Sequence, residues 1–296
     1  MQREKLLIVL MILLSPISYG QNSGQNVVKT SEQAYQEHSP IAHHKIALEV
    51  LNESKKWINA FNEGNTKKCV ESYRTNAVMR AMPFGVKNGS QAINNFWKPF
   101  IESGASNLVY TDVTIEVVNE STALISANWS MNVGRGTIYQ EKWEKKDNIW
   151  KLTYDDFEVL EQFEKPRINT NPATTSHQAL EEVINASIDW INGFNSQNST
   201  ICGNGYSDDA TMNAVPFTSL HHKAAIQEFW AKLIADGAKN LTYHNPKFAV
   251  ITPERVLVSS RWSMNIGEGK IYQEKWIKEK DKWILGYDEF QVLKQY

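Results

Sequence analysis

Apolar residues follow a helical spacing at the start of each half of the chain and an alternating spacing after it. Ile46, Val50, Trp57 and Phe61 recur on one face of a helix, and Gly64 favours the end of that helix. Segments rich in β-branched and aromatic residues follow later and predict strands at 108–118, 122–133, 137–145 and 150–160. A short helix at 69–73, a strand at 77–82 and a third helix that begins near Ser90 complete the unit.

The order of these elements indicates the fold class. Helices come first and a run of antiparallel strands follows, which is typical of an α+β domain. We expect three helices packed on one face of a curved antiparallel sheet. Residues 134–136 (Gly-Arg-Gly) and residues 147–148 (Asp-Asn) are the predicted turns between the last three strands.

The whole unit occurs twice. Trp57-Ile58-Asn59 recurs as Trp190-Ile191-Asn192, and the hexapeptide that begins at Ile138 recurs from Ile271, at the same offset of 133 residues. The offset holds without a gap from His44 to Phe163, and roughly 50 of about 120 aligned positions are identical. Two units of this length predict a tandem pair of domains, at 44–163 and 177–296.

The remaining segments are predicted to lie outside the domains. Residues 1–20 combine Arg3 and Lys5, a short apolar run and a small-residue end, which is the pattern of a secretory signal peptide. A secreted or periplasmic protein is therefore expected, with no membrane contact after cleavage; an uncleaved N-terminal anchor is the alternative interpretation. Residues 21–43 are predicted as a polar leader, and residues 164–176, with two prolines, as the linker between the domains.

Alternation along the strands assigns side chains to the two faces of the sheet. With a three-residue turn at 134–136, the apolar face carries Glu141 together with aromatic and aliphatic residues, namely Trp129, Met131, Tyr139, Trp143, Trp150, Leu152 and Tyr154. A carboxylate among such residues is poorly solvated, so its pKa is raised toward the range useful for proton transfer. A structural role, with the carboxyl tied to a tyrosine hydroxyl or a backbone amide, is the alternative interpretation.

Each repeat resembles the nuclear transport factor 2-like superfamily, and in particular its SnoaL-like and ketosteroid isomerase-like branch. The segments that carry the resemblance are 61–64 (Phe-Asn-Glu-Gly), 77–79 before Pro83, 89–93 with Phe96-Trp97, and 142–157. The resemblance implies a cone-shaped domain that binds an apolar small molecule, with an acidic residue as base and a tyrosine or protonated acid as oxyanion partner. The resemblance does not identify individual catalytic residues in this sequence. The superfamily includes both enzymes and plain binding modules.

Candidate site residues follow from the predicted inner face and from the repeat. The catalytic candidates are Glu141 and Glu274 as acid or base, with Tyr154 and Tyr287 as donors to an oxyanion. The predicted pocket walls are Met79, Trp97, Trp129, Met131 and Tyr139 in the first repeat and Met212, Trp230, Trp262, Met264 and Tyr272 in the second. Plain core packing is the alternative interpretation for the aromatic residues. Asp155/Asp288 and Asp156/Glu289 lie at the end of the sheet, where one member of each pair is expected to point inward.

Charge and composition narrow the function classes. The net charge of −2 leaves no basic excess for a nucleic-acid backbone. The adjacent histidines at 43–44 and 221–222 lack the spacing of metal ligands, and no phosphate-binding loop is present, so neither a metal nor a cofactor is expected. Cys69 and Cys202 occupy equivalent positions, as buried thiols or as a disulfide pair.

The predicted function is that of an exported small-molecule-binding protein with one aromatic-lined pocket in each repeat. Acid or base chemistry of the isomerase, cyclase or dehydratase type is a further expectation. The alternative is a non-catalytic interaction module in which the repeats pack sheet to sheet as an intramolecular pseudo-dimer and fill their cones. In either case the pairing of the repeats is expected to cover their sheets without another partner.

Overall fold

The computed structural model describes residues 39–296 of the 296-residue chain. The predicted signal peptide at 1–20 lies outside these residues, as does the predicted leader as far as residue 38. The described residues belong to one compact unit. No helix among them is long and apolar enough to cross a membrane.

Within the described residues, each half contains three helices, as expected. They are α1 (Ala42–Asn62), α2 (Thr66–Glu71) and α3 (Gly89–Glu102) in the first half, and α4 (Thr175–Asn195), α5 (Ser199–Asn204) and α6 (Lys223–Ala235) in the second. The long helices α1 and α4 bury the apolar stripe that their spacing predicted. The short helices α2 and α5 begin where the side chains of Asn65 and Asn198 accept hydrogen bonds from backbone amides three residues later.

Twelve strands form one sheet within the described residues. Those of the first half are β1 (Tyr73–Met82), β2 (Gly85–Asn88), β3 (Val109–Asn119), β4 (Thr122–Met131), β5 (Gly134–Lys146) and β6 (Ile149–Gln162). Those of the second are β7 (Tyr206–Val215), β8 (Thr218–His221), β9 (Thr242–Thr252), β10 (Arg255–Met264), β11 (Gly267–Glu279) and β12 (Lys282–Gln295). The spatial order is β2-β1-β6-β5-β4-β3-β9-β10-β11-β12-β7-β8. The sheet is mostly antiparallel, as expected, and β1 pairs with β6, and β7 with β12, in parallel.

The two halves meet edge to edge rather than through stacked sheet faces. β3 pairs with β9 in antiparallel fashion, with Ile115 opposite Phe248, and Glu116 forms an ion pair with Lys247 across the junction. Helices α1 and α4 pack on each other, and each also packs against the junction strand of the other half. Cys69 and Cys202 are buried free thiols, each in the short helix of its own half.

The predicted turn at 134–136 is wrong. β4 ends at Met131 and β5 begins at Gly134, so the turn consists of residues 132–133 and both glycines lie within β5. Gly136 sits under the indole of Trp129, where a Cβ atom would come within 2.6 Å of the ring. These glycines therefore allow close packing, and they do not form the turn.

The predicted faces of β5 and β6 are wrong in part because each strand contains a β-bulge. Between Ile138 and Gln140 the extra residue is Tyr139 of β5, and between Lys142 and Trp143 it is Thr153 of β6. One extra residue reverses the alternation, so Ile138 is buried while Tyr139 is 54% exposed. The second half repeats this arrangement, with Tyr272 at 52% exposure.

Candidate functional site

A cavity of about 370 Å³ lies between the helices and the sheet of the first half. Helix α1 supplies Trp57 and Phe61 to its wall, and α3 supplies Phe96, Trp97 and Phe100. The strands and the segments that flank them supply the remainder, which are Phe84, Leu108, Tyr110, Trp129, Met131, Val133, Gly134, Ile138, Asp155, Phe157, Val159, Gln162 and Phe163. The volume falls within the range of small-molecule sites, and Asp155 is the only ionisable carboxyl in this lining.

Aromatic rings hold the wall in shape. Trp97 stacks on Phe157 at 5.6 Å between ring centroids, and Trp57 meets Trp97 edge to face at 5.5 Å. Trp129 meets Phe157 edge to face. Such offset and edge-to-face pairs are the favoured geometries of aromatic packing, so the wall consists of interlocked rings.

Asp155 belongs to a pair of buried carboxyl groups. It lies directly opposite Glu141 across β5 and β6, and both side chains are almost fully buried. Glu141 accepts hydrogen bonds from the Tyr110 hydroxyl at 2.9 Å and from the Trp143 indole at 3.0 Å. The Tyr73 hydroxyl donates to Asp155 at 2.6 Å. Asp155 and Tyr110 face the cavity, and Glu141 lies behind them.

Burial raises the pKa of both carboxyl groups well above the ordinary values. The negative charge of Asp155 raises the pKa of Glu141 further, and the hydrogen bonds from Trp143 and Tyr110 oppose this shift in part. Burial and the neighbouring carboxyl groups also raise the pKa of Tyr73 and Tyr110, so these hydroxyls stay protonated as donors. The pair therefore tends to retain a proton beside an apolar cavity, where it can donate or transfer it.

The second half repeats the carboxyl pair. Tyr243 and Trp276 donate to Glu274, and Tyr206 donates to Asp288 at 2.7 Å. Burial raises the pKa of Glu274 and of Asp288 here too. Most residues of the first-half wall have an identical counterpart in this half, and the three substitutions are Phe100 to Leu233, Val133 to Ile266 and Phe163 to Tyr296.

Two buried histidines connect the halves. His177 of α4 forms a hydrogen bond of 3.0 Å with Ser54 of α1, and His44 of α1 forms the equivalent bond with Ser187 of α4. The His177 ring lies 6.0 Å from the ring of Tyr110, and the His44 ring lies 5.7 Å from that of Tyr243. Burial lowers the pKa of each imidazole to about 3, with smaller contributions from Lys55 beside His177 and His43 beside His44.

Several predicted wall residues meet in the first-half site. Trp97, Trp129 and Met131 line the cavity. Met79 is fully buried outside this lining, with its sulfur 4.0 Å from the Tyr73 hydroxyl. In the second half, Met212, Trp230, Trp262 and Met264 are buried at the equivalent positions.

The predicted tyrosines are not at the carboxyl pair. Tyr154 pairs with Lys142 across the sheet and donates to Asp156, while Tyr287 donates to Glu289. Tyr139 and Tyr272 are exposed and donate to side chains of the neighbouring strand. β-Bulges are the physical reason: those in β5 and β11 turn Tyr139 and Tyr272 outward, and those in β6 and β12, at Thr153 and Gly286, do the same for Tyr154 and Tyr287.

Sequence reasoning missed the tyrosines that hold the carboxyl pair and treated Asp155 only as a residue at the end of the sheet. Tyr73, Tyr110 and Asp155 are all repeated as Tyr206, Tyr243 and Asp288. Repetition is the only sequence signal they share, and it does not separate them from packing residues. The expectation that one member of the pair Asp155/Asp156 points inward holds, since Asp155 is the one that faces the cavity.

Comparison with known proteins finds similarity among solved structures only. No family model matches the chain, and no curated protein matches it. Similar solved structures include a putative scytalone dehydratase from Novosphingobium aromaticivorans, with 11% identity, a TM-score of 0.38, and coverage of 42% of this chain and 91% of that one. Another is a nuclear transport factor 2-like protein of unknown function from Shewanella oneidensis, with 19% identity, a TM-score of 0.34, and coverage of 37% and 95%. A ketosteroid isomerase-like protein from Erwinia carotovora atroseptica has 11% identity, a TM-score of 0.34, and coverage of 38% and 95%.

Proposed function

We propose that this protein is exported and binds a small apolar molecule in the cavity of its first half, with an equivalent pocket in the second. The observation that carries the proposal is the single carboxyl group, Asp155, on the mostly apolar and aromatic wall of the 370 Å³ cavity. A mostly apolar site with one carboxyl group favours a ligand with a large apolar surface and a carbonyl or hydroxyl group. In this proposal the two halves act as an intramolecular pseudo-dimer, and neither nucleic acid nor a cofactor takes part.

The chemistry proposed for the site is proton transfer. Asp155 is the group in contact with the ligand, and Glu141 behind it shares the retained proton. Tyr110 lines the cavity and donates its hydroxyl hydrogen to Glu141, so in this proposal it holds the carboxyl pair in place, and the sequence-predicted Tyr154 takes no part. A carboxyl group with a raised pKa donates a proton to a carbonyl oxygen, or removes one from a neighbouring carbon, near neutral pH. Isomerisation, cyclisation and dehydration all require such a step.

The first experiment is native mass spectrometry of the protein purified from its own host, followed by identification of any compound that it releases. The second is titration with 2-naphthol and with naphthalene, followed by tryptophan fluorescence. We expect 2-naphthol to bind more tightly, because only its hydroxyl can form a hydrogen bond with Asp155. Val159→Trp, which narrows the cavity, is expected to weaken binding, and Tyr139→Phe on the exposed face serves as the control.

Catalysis has a separate test. Once a substrate is known, Asp155→Asn is expected to lower kcat by about 10²-fold or more while ligand binding persists. Unchanged turnover in this variant would exclude Asp155 as the acid or base. The pocket would be contradicted if no compound bound to the protein, or if Val159→Trp left binding unchanged. Either result would favour the non-catalytic interaction module.

A further inference from the structure

The buried carboxyl pair of each half is connected to the opposite half through one tyrosine. In the first half Tyr110 donates its hydroxyl hydrogen to Glu141, and the His177 ring of α4 packs beside the Tyr110 ring. In the second half Tyr243 donates to Glu274, and the His44 ring of α1 packs beside Tyr243. The repeat offset relates the two arrangements, so the same contact is made twice, each time across the junction.

The orientation of each histidine is itself fixed by the other half. The Nε2 atom of His177 is bonded to Ser54 of α1, which belongs to the half that contains Tyr110. His44 is bonded in the same way to Ser187, and the Phe248 ring lies beside it at 5.5 Å between centroids. Both histidines are fully buried and hydrogen-bonded, and such a side chain has little rotational freedom, so each acts as a rigid wall for its tyrosine.

We propose that His177 and His44 are positioning residues that act across the junction, each fixing the tyrosine that donates a hydrogen bond to the buried glutamate of the opposite half. The carboxyl pair of either half is then complete only when the other half is folded against it. This inference rests on the proposed function only in so far as the carboxyl pair serves a ligand, and the arrangement itself is testable without one.

The experiment is a carbon-13 NMR titration of the ligand-free full chain, with labelled glutamate carboxyl groups. Glu141→Gln and Glu274→Gln assign the two buried signals. In His177→Gln the amide retains a hydrogen bond to Ser54, but the ring beside Tyr110 is lost. We expect the Tyr110 bond to weaken, so that the pKa of Glu141 rises and its protonation equilibrium shifts at least about threefold. Glu274 is expected to be unchanged.

The repeat provides a matched control. His44→Gln is expected to shift the titration of Glu274 and to leave that of Glu141 unchanged. In the double variant His177→Phe with Ser54→Ala, a ring is again present beside Tyr110, and no serine hydroxyl is left without a hydrogen-bond partner. The pKa of Glu141 is expected to return to its wild-type value. This crossed pattern separates positioning from a general loosening of the junction, which would affect both glutamates in every variant.

Two results would overturn the inference: no shift of Glu141 in a folded His177→Gln protein, or equal shifts of both glutamates. If His177→Gln does not fold, His177→Leu with Ser54→Ala keeps the site apolar and removes the planar ring, and the same crossed pattern is required of it. If the protein does not bind 2-naphthol but each histidine variant shifts the titration of only its own glutamate, the proposed function is contradicted and the present inference stands.

Discussion

Glu141 and Asp155 face each other across β5 and β6 with both carboxyl groups buried, and only Asp155 reaches the cavity. Two carboxyl groups this close are not both ionised at low cost in a poorly solvated site, so the pair retains a proton above the ordinary pKa of either group. The arrangement stores a proton beside an apolar wall. It also makes the stability of the fold dependent on pH in a predictable direction.

The acid pair should destabilise the fold as the pH rises. The folded-state pKa of Asp155 is raised, so its contribution to stability is fully present below the unfolded value near 4 and is lost as the pH rises through the folded value. This loss of stabilisation amounts to about 1.4 kcal/mol for each unit by which the pKa of Asp155 is raised. Asp155→Asn should remove the loss, because the amide does not ionise. Urea unfolding of both proteins from pH 4 to pH 9 measures the difference. The exposed Glu71→Gln is the control, and parallel curves for wild type and Asp155→Asn would refute the prediction.

The buried histidines should have the opposite effect at acidic pH. The pKa of His44 and of His177 is lowered to about 3, so their contribution is present above the unfolded value near 6.5 and is lost as the pH falls. The slope is about 1.4 kcal/mol per pH unit for each histidine between these limits. The double variant His44→Gln with His177→Gln should reduce the pH dependence of the unfolding free energy between pH 6.5 and pH 4, as measured by urea unfolding. The exposed His221→Gln should not, and an unaltered slope in the double variant would be inconsistent with the buried neutral imidazoles.

Gly136 should tolerate no side chain. A Cβ atom there would come within 2.6 Å of the Trp129 ring and would collide with the backbone carbonyl of Glu158. Gly136→Ala is therefore expected to cost about 2–3 kcal/mol of unfolding free energy and to weaken 2-naphthol binding, because Trp129 lines the cavity. Gly286→Ala is the control, since the equivalent position in the first half is Thr153. Equal stability of the two variants in thermal unfolding would show that the wall is not packed as described.

His222 should be a strained residue. It has φ 69° and ψ 139° at the start of α6, and the equivalent residue of the first half is Gly89 with φ 81°. A side chain with a Cβ atom is disfavoured in this region by about 1–3 kcal/mol. His222→Gly should raise the unfolding free energy by about 1 kcal/mol after the added freedom of the unfolded chain is subtracted. Gly89→Ala should lower it, and chemical unfolding of both variants checks the opposite signs.

The helices and the fold class could be predicted from the sequence. Helical spacing identified α1 and α4, and the order of elements predicted the α+β class that the structure has. The apolar inner surface, with Trp97, Trp129 and Met131, was predicted too. These features depend on periodicity within a segment, and periodicity is a local property that a sequence displays directly.

The sequence by itself thus determined the duplication, the element types and a buried carboxyl on the inner face of β5. Only the tertiary structure decided which tyrosines hold the carboxyl groups, which acid reaches the cavity and how the halves meet. The reason is that two β-bulges reverse the alternation without a sequence marker: one at Tyr139 in β5 turns that tyrosine outward, and one at Thr153 in β6 places Asp155 beside Glu141. The contact between His177 and Tyr110 joins residues far apart in the chain, and no local pattern records it.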